Sequence, residues 1–241
     1  PILGVEGIAV VMERGEWILP SGYRGRDAVT IALIRSTGEN VEFDVRRTAD
    51  GVHVVMHDRS VARTTGGEGF VDDLTYAEIR TLDAGARFGD AFAGEPVPRL
   101  EDFLRHLKGR AGAYCEVKRG DCAEIVRIVR ESGIEDMFFW AFKPEVRAAL
   151  RAAVPGLRHM TTLEIAGTRE AAIAEHGASI LEFSLENVSP EALADAKAAG
   201  LTTMIFEPGS DPARLERLLA LSPDYANIDD IDTINAIRAA A

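Results

Sequence analysis

The sequence predicts an α/β fold whose parallel strands close into a (β/α)8 (TIM) barrel, with a small cap inserted after a hairpin on the second strand. Three observations carry this. Short apolar runs alternate with amphipathic helical segments from end to end, eight such runs can be counted, and a chain of 241 residues that is 46% hydrophobic can fill one large core. The expectation is a single domain over residues 1–241 with the insertion at about 58–98.

The eight runs fall at 8–12, 41–45, 113–117, 137–141, 159–163, 180–184, 202–206 and 225–228. Between them lie AVTIALIRSTG, LEDFLRHLKG, CAEIVRIVRESG, PEVRAALRAA, TREAAIAEHG, PEALADAKAAG and PARLERLLAL, with apolar residues at helical spacing and Gly or Pro near several ends. A further apolar run, HVVMH at 53–57, follows the second strand after only Ala49, Asp50 and Gly51. A parallel crossover needs a dozen or more residues, and Asp-Gly marks a tight turn, so this run should fold back antiparallel as a hairpin. The stretch from 58 to 98, with TTGGEG and FGDAFAGEPVP, is too long for a simple connection and too rich in glycine for one helix.

The formal net charge of -12 and the lack of a dense Lys/Arg run argue against nucleic acid or an anionic membrane as partner. No stretch approaches the ~20 apolar residues that span a bilayer. Two cysteines, Cys115 and Cys122, are too few for a disulfide framework, so both read as reduced and the expected location is cytoplasmic. A small molecule is the expected partner, and a homo-oligomer is compatible with the sequence.

The chemistry concentrates at strand ends. In VEFDV the strand period projects Glu42 and Asp44 to one face and Val41, Phe43 and Val45 to the other. In YCEVK, Glu116 and Lys118 share a face. Three acids pointing into a barrel repel one another, and a divalent cation with oxygen ligands resolves the repulsion. The competing reading is an inert ion network in which Glu42 pairs with Arg46 or Lys118. His57 ends the folded-back hairpin close to the strand-two acids, where an imidazole can transfer a proton near neutral pH. Within VVMERGEW, Arg14 offers a planar fork for a phosphate or carboxylate, and Lys118 adds a second positive charge. Metal, Arg14, Lys118 and His57 together suit an anionic ester, phosphate being the simplest. No P-loop, GxGxxG or GxSxG motif supports another chemistry. Trp17, Phe142, Glu164 and Phe206 are candidate pocket walls at strand ends or in the loops that follow.

The run EFDVRRTADGVHVVMHDRSVARTTGGEGFVDDLTYAEIRTLDAG, followed by VPRLEDFLRHL and CEVK, resembles the glycerophosphodiester phosphodiesterase family. The acid pair, hairpin, HD, RTT-G-G and E-x-K elements fall in that family's order and spacing. The resemblance implies a (β/α)8 barrel with an inserted cap that hydrolyses glycerophosphodiesters to an alcohol and glycerol 3-phosphate with Mg2+ or Ca2+, an activity of lipid metabolism. It implies Glu42, Asp44 and Glu116 as metal ligands, His57 as the acid that protonates the leaving alcohol, and Lys118 as a charged active-site residue.

The family's first-strand motif is His-Arg-Gly, followed after a short loop by Glu-Asn-Thr. Here Arg14 and Gly15 match, Glu13 stands at the histidine, and the chain reads SGYRGRDAVTIA after Pro20 without Glu-Asn-Thr. Three readings stay open: an enzyme in which Glu13 is the base or an added metal ligand, a protein that binds metal and a phosphorylated ligand without turnover, and a barrel used only as an interaction module.

Overall fold

The computed structural model describes residues 38–86, 93–109, 112–134, 137–153, 156–228 and 230–240, together with the short strands at 12–13, 16–17 and 32–35. The main sheet holds β3 (Ala32–Arg35), β4 (Gly38–Arg47), β5 (His53–Val55), β6 (Gly112–Val117), β7 (Met137–Trp140), β8 (Met160–Thr162), β9 (Ile180–Ser184), β10 (Thr202–Glu207) and β11 (Tyr225–Ile228). Its order is β7-β6-β4-β3-β11-β10-β9-β8, with β5 paired to β4. The two end strands meet in turn: Phe139 and His159 form a parallel bridge, and Phe139 N donates to Arg158 O at 3.0 Å, so the path returns on itself. This is the (β/α)8 architecture expected.

Seven of the eight expected staves are present as parallel strands. Of the first, residues 8–11 lie outside the described residues; Met12 belongs to β1 (Met12–Glu13), which among the described residues pairs with β2 (Glu16–Trp17) in an antiparallel hairpin. The place between β11 and β4 is taken by β3, antiparallel to both. A helix is expected over AVTIALIRSTG, of which 28–31 and 36–37 lie outside the described residues; at 32–35 the chain is a strand, with backbone ladders on both sides satisfying its N–H and C=O groups. The hairpin at 53–57 forms as expected, with Val45 opposite Val55.

The connecting helices are α3 (Leu100–Leu107), α4 (Cys122–Ser132), α5 (Pro144–Ala153), α7 (Arg169–Ala174), α8 (Pro190–Ala198), α9 (Pro212–Leu221) and α10 (Ile231–Ala240), with short turns α1 (Ala62–Thr65), α2 (Tyr76–Ile79) and α6 (Leu163–Ala166). Their starts follow capping chemistry. The Asp121 carboxylate accepts from the N–H groups of Ala123 and Glu124, and Ser189 and Asp211 cap α8 and α9, each of which has Pro in its first turn. Gly133 ends α4 at φ 70, a left-handed value that glycine adopts without strain.

Strand alternation sorts the side chains into layers. Val41, Phe43, Val45, Cys115 and Val117 pack outward against Leu104, Ile125 and Val129, and Leu181, Phe183, Ile205 and Ile228 pack against Leu193, Leu215 and Leu218. Inward-facing Tyr114, Phe138, Met160, Ile180, Met204 and Tyr225 fill the barrel below the site. Tyr114 stacks on Phe138 at 4.6 Å, and Arg158 closes the floor by donating to the Tyr225 hydroxyl at 3.1 Å. The hairpin and the segment that follows share a cluster of their own, Val54, Met56, Val61, Val71, Ile79, Ala84 and Val97.

Phe43 lies fully buried between the two strand-two acids and meets the Phe103 ring at 4.8 Å, so it anchors the strand that presents both carboxylates. Phe43→Ala is expected to lower unfolding stability by about 3–5 kcal/mol in urea denaturation. A loss below about 1 kcal/mol would show that the outer layer does not hold β4.

Candidate active site

The inner face of β4 carries Asn40, Glu42 and Asp44, all buried. Parallel register sets Asp44 beside Glu116 and Glu116 beside Trp140. Oxygen atoms of Glu42, Asp44 and Glu116 thereby come within 4.8 Å of one another. Like charges on neighbouring strand positions are unfavourable.

The alternative expected Glu42 to pair with Arg46 or Lys118; the structure pairs Lys118 with Glu116 and Asp44. Lys118, just past the end of β6, places Nζ 2.7 Å from Glu116 Oε1 and 3.2 Å from Asp44 Oδ1. The contact to Asp44 is close enough for charge attraction but is not aligned as a hydrogen bond, and both Asp44 oxygens are buried without a hydrogen-bond partner among the described residues. Arg46 is directed elsewhere, donating through Nε to His57 O at 2.6 Å. Burial pushes Asp44 up to about 7 against the pull of Lys118, with Glu116 adding to the rise. Burial would lower Lys118, but Asp44 and Glu116 outweigh it and hold the ammonium well above its usual range. Three hard carboxylate donors, one with both oxygens buried and without a hydrogen-bond partner among the described residues, fit a divalent cation.

His57 reaches the same cavity from the hairpin. Met56 N donates to Asp44 O at 2.9 Å, tying the chain just before His57 to the ligand strand. His57 Nδ1 lies 2.8 Å from Asp58 Oδ1, and Arg63 Nε donates to the other Asp58 oxygen at 2.5 Å. Burial works against the Asp58 charge, yet the bonds from Arg63 and His57 keep its carboxyl below the usual range. A charged Asp58 favours the tautomer with hydrogen on Nδ1, which makes Nε2 the acceptor nitrogen of the neutral ring.

The cavity, of about 190 Å³, is lined by Glu42, Asp44, His57, Glu116 and Lys118 together with Tyr114, Trp140, Glu182, Phe206 and Asn227. Five of the seven residues expected from sequence are thus brought together. Arg14 lies outside the described residues, and so does the Glu13 side chain, although the Glu13 backbone is part of β1. Of the expected walls, Phe206 lines the cavity. Phe142 is 67% exposed and Glu164 is exposed on α6, and neither lines it; the Trp17 side chain lies outside the described residues.

Glu182 and Asn227 were not anticipated. Burial pushes Glu182 up to about 7, against a hydrogen bond from Asn227. The signal was present in ILEFS, an acid between apolar neighbours like the one in VEFDV.

Residues 34–204 match the model of the Glycerophosphoryl diester phosphodiesterase family. The chain belongs to this family. The matched span begins downstream of Glu13 and Arg14. Among members of the glycerophosphoryl diester phosphodiesterase family, the Caldanaerobacter subterraneus subsp. tengcongensis glycerophosphodiester phosphodiesterase is 39% identical over 107 residues, 41% of this chain and 43% of that one. The Mus musculus glycerophosphodiester phosphodiesterase 1 is 42% identical over 139 residues, 51% of this chain and 40% of that one. The chain thus spans less than half the length of these curated relatives. A solved structure of glycerophosphodiester phosphodiesterase from Agrobacterium tumefaciens superposes with a TM-score of 0.79 at 40% identity, over 82% of this chain and 86% of that one. No helix among the described residues is long and apolar enough to cross a membrane.

The raised Asp44 has a consequence for stability. Unfolded, Asp44 loses its proton near pH 4; in the metal-free fold it keeps it to about 7. The unfolded chain binds fewer protons between those values, so stability falls as pH rises through that window and the loss is complete above the folded value. Asp44→Asn removes this loss, whereas Glu182 is common to both proteins and cancels. In chelator, the variant is expected to gain on the order of 2 kcal/mol relative to the native chain between about pH 5 and pH 8 by urea denaturation. A gap that does not change with pH would contradict the burial of an uncompensated carboxylate.

Proposed function

We propose that this chain is a divalent-metal-dependent phosphodiester hydrolase acting on glycerophosphodiesters or a related small phosphodiester, with His57 as general acid. The observation that carries the reading is the convergence of Glu42, Asp44 and Glu116, with both Asp44 oxygens unsatisfied, in one cavity with His57 and Lys118. Those three carboxylates would hold Mg2+ or Ca2+. A cation there supplies charge stabilisation to phosphoryl oxygens as electron density shifts onto them.

The remaining work falls to the chain's own groups. Lys118 sets a positive charge at the cavity wall for an anionic phosphoryl group. His57, oriented by Asp58 and Arg63, delivers a proton from Nε2 to the leaving alkoxide, which departs as an alcohol. Glu13 accepts the proton of the attacking hydroxyl, in the place where the family motif has histidine, and Arg14 binds the phosphoryl group beside it. The chemistry suits the turnover of deacylated phospholipid head groups. Two buried free cysteines fit a reducing, cytoplasmic setting.

One observation favours a second reading, in which the site binds metal and a phosphorylated ligand without turnover: Glu13 occupies the position of the family's first histidine. Release of choline and glycerol 3-phosphate from glycerophosphocholine, and of the aryl alcohol from an aryl phosphodiester, measured with Ca2+, Mg2+ or Mn2+ over about pH 5 to 9, separates the two. The hydrolase reading expects native turnover that falls about 10²- to 10⁴-fold in His57→Ala, with Mn2+ binding retained, and that rises in Glu13→His, which rebuilds the family's acid/base pair with His57. Absence of turnover in the native chain alongside Mn2+ binding, with activity appearing in Glu13→His, would establish the second reading and refute the first.

A further inference from the structure

The cavity has a second polar wall that neither the carboxylate triad nor His57 uses. On β9, alternation turns Leu181 and Phe183 outward into the helix-facing layer and Glu182 inward; on β11 it turns Ala226 and Ile228 outward and Asn227 inward. Both polar residues line the same cavity as the triad, but they come from β9 and β11, whereas the triad comes from β4 and β6. Asn227 Nδ2 donates to Glu182 Oε2 at 2.9 Å. The amide stands with its nitrogen toward the Glu182 carboxyl. It leaves the Asn227 carbonyl Oδ1 buried without a hydrogen-bond partner among the described residues, in a side chain that is only 5% exposed.

Folded proteins rarely leave a buried carbonyl unpaired, because its desolvation is then uncompensated. One inward step below on the same two strands, Ile180 and Tyr225 pack in an apolar cluster, so the fold does not require an amide and an acid here. The wall offers acceptors, a carboxylate and a carbonyl. Its complement is a group that donates hydrogen bonds and carries no negative charge. A phosphate oxygen at neutral pH fails on both counts, and an alcohol hydroxyl meets both. A quaternary ammonium has no hydrogen to give the Asn227 carbonyl. Trp140 and Phe206, lining the same cavity, supply apolar faces for the carbon chain that bears such hydroxyls.

We propose that Glu182 and Asn227 form a hydroxyl-reading subsite that receives the polyol arm of the ligand while its phosphoryl group sits at the carboxylate triad. The pair thereby selects phosphate esters whose arm carries free hydroxyls over esters of simple alcohols. This deepens the hydrolase reading and rests on it for the assignment of the arm to a substrate, but hydroxyl preference itself is a binding property and is measured without turnover.

Calorimetric titration of the Mn2+-supplemented protein with sn-glycerol 3-phosphate and with methyl phosphate compares two ligands that share a phosphoryl group and differ in hydroxyls. The native chain is expected to bind the first tighter by roughly tenfold or more, the scale of a hydrogen-bonded hydroxyl set against an unpaired acceptor. Asn227→Leu should bring the two Kd values close together, and Glu182→Gln should narrow the gap. Should Asn227→Leu fail to fold by circular dichroism, Asn227→Ala gives the same comparison with a smaller side chain. Equal affinities in the native chain, no binding of either ligand, or a preference that survives in the variants would each overturn the proposal. Tighter binding of phosphocholine than of glycerol 3-phosphate would overturn it as well, because the wall would then read a cation. A native preference without hydrolysis of any phosphodiester would leave the subsite standing and refute the hydrolase reading.

Discussion

Three carboxylates within 4.8 Å of one another on the inner face of two neighbouring strands are the constraint on which the rest of the site depends. At that separation and an effective dielectric near 20, each charged pair costs roughly 3 to 4 kcal/mol. The fold tolerates this because β4 is fixed from outside, where Val41, Phe43 and Val45 pack into the helix layer. Partial relief comes from Lys118, which spans two of the three acids, and from a proton that burial retains on Asp44 to about 7. Neither satisfies the Asp44 oxygens as hydrogen-bond acceptors. A divalent cation does what these devices do only in part, and it does so without a proton.

The same strand brings His57 to the three carboxylates. β4 runs for 10 residues and pairs with β3, β5 and β6. The turn after it sends β5 back along its end, so that Asp44 O receives Met56 N and Arg46 Nε holds His57 O. Val54 and Met56 are rooted in the separate apolar cluster that reaches to Val97. The inserted segment therefore supports the hairpin, and Arg63 from its first turn fixes Asp58 and through it the imidazole. His53, at the start of the hairpin, contributes differently: its Nε2 accepts from Asp121 N and so steadies the loop beyond Lys118.

What could be read from the sequence was whatever depends on local period. Alternation in VEFDV and YCEVK separates inward acids from outward apolar residues, and the structure keeps that division residue by residue. The short Asp-Gly turn predicted the hairpin that carries His57. The segment at 32–35 was not legible, because Ala, Leu and Ile at those positions suit either period. Its state is decided by the gap between β11 and β4, whose backbone groups it pairs on both sides. Glu182 and Asn227 escaped notice because a single polar residue in an apolar strand declares itself only when register sets the two strands around one cavity. Phe142 and Glu164 show the converse: a position near a strand end is not enough, because both side chains stay exposed and neither lines the cavity.

The central claim is that this cavity is built around a divalent cation, and a crystal grown with Mn2+ and measured at the manganese absorption edge tests it most directly. The account predicts one strong anomalous peak among the carboxylates of Glu42, Asp44 and Glu116, at oxygen distances of about 2.0 to 2.4 Å, with Lys118 Nζ drawn away from Asp44. A triad without an anomalous peak, with the Lys118 ammonium still between Asp44 and Glu116, would contradict it.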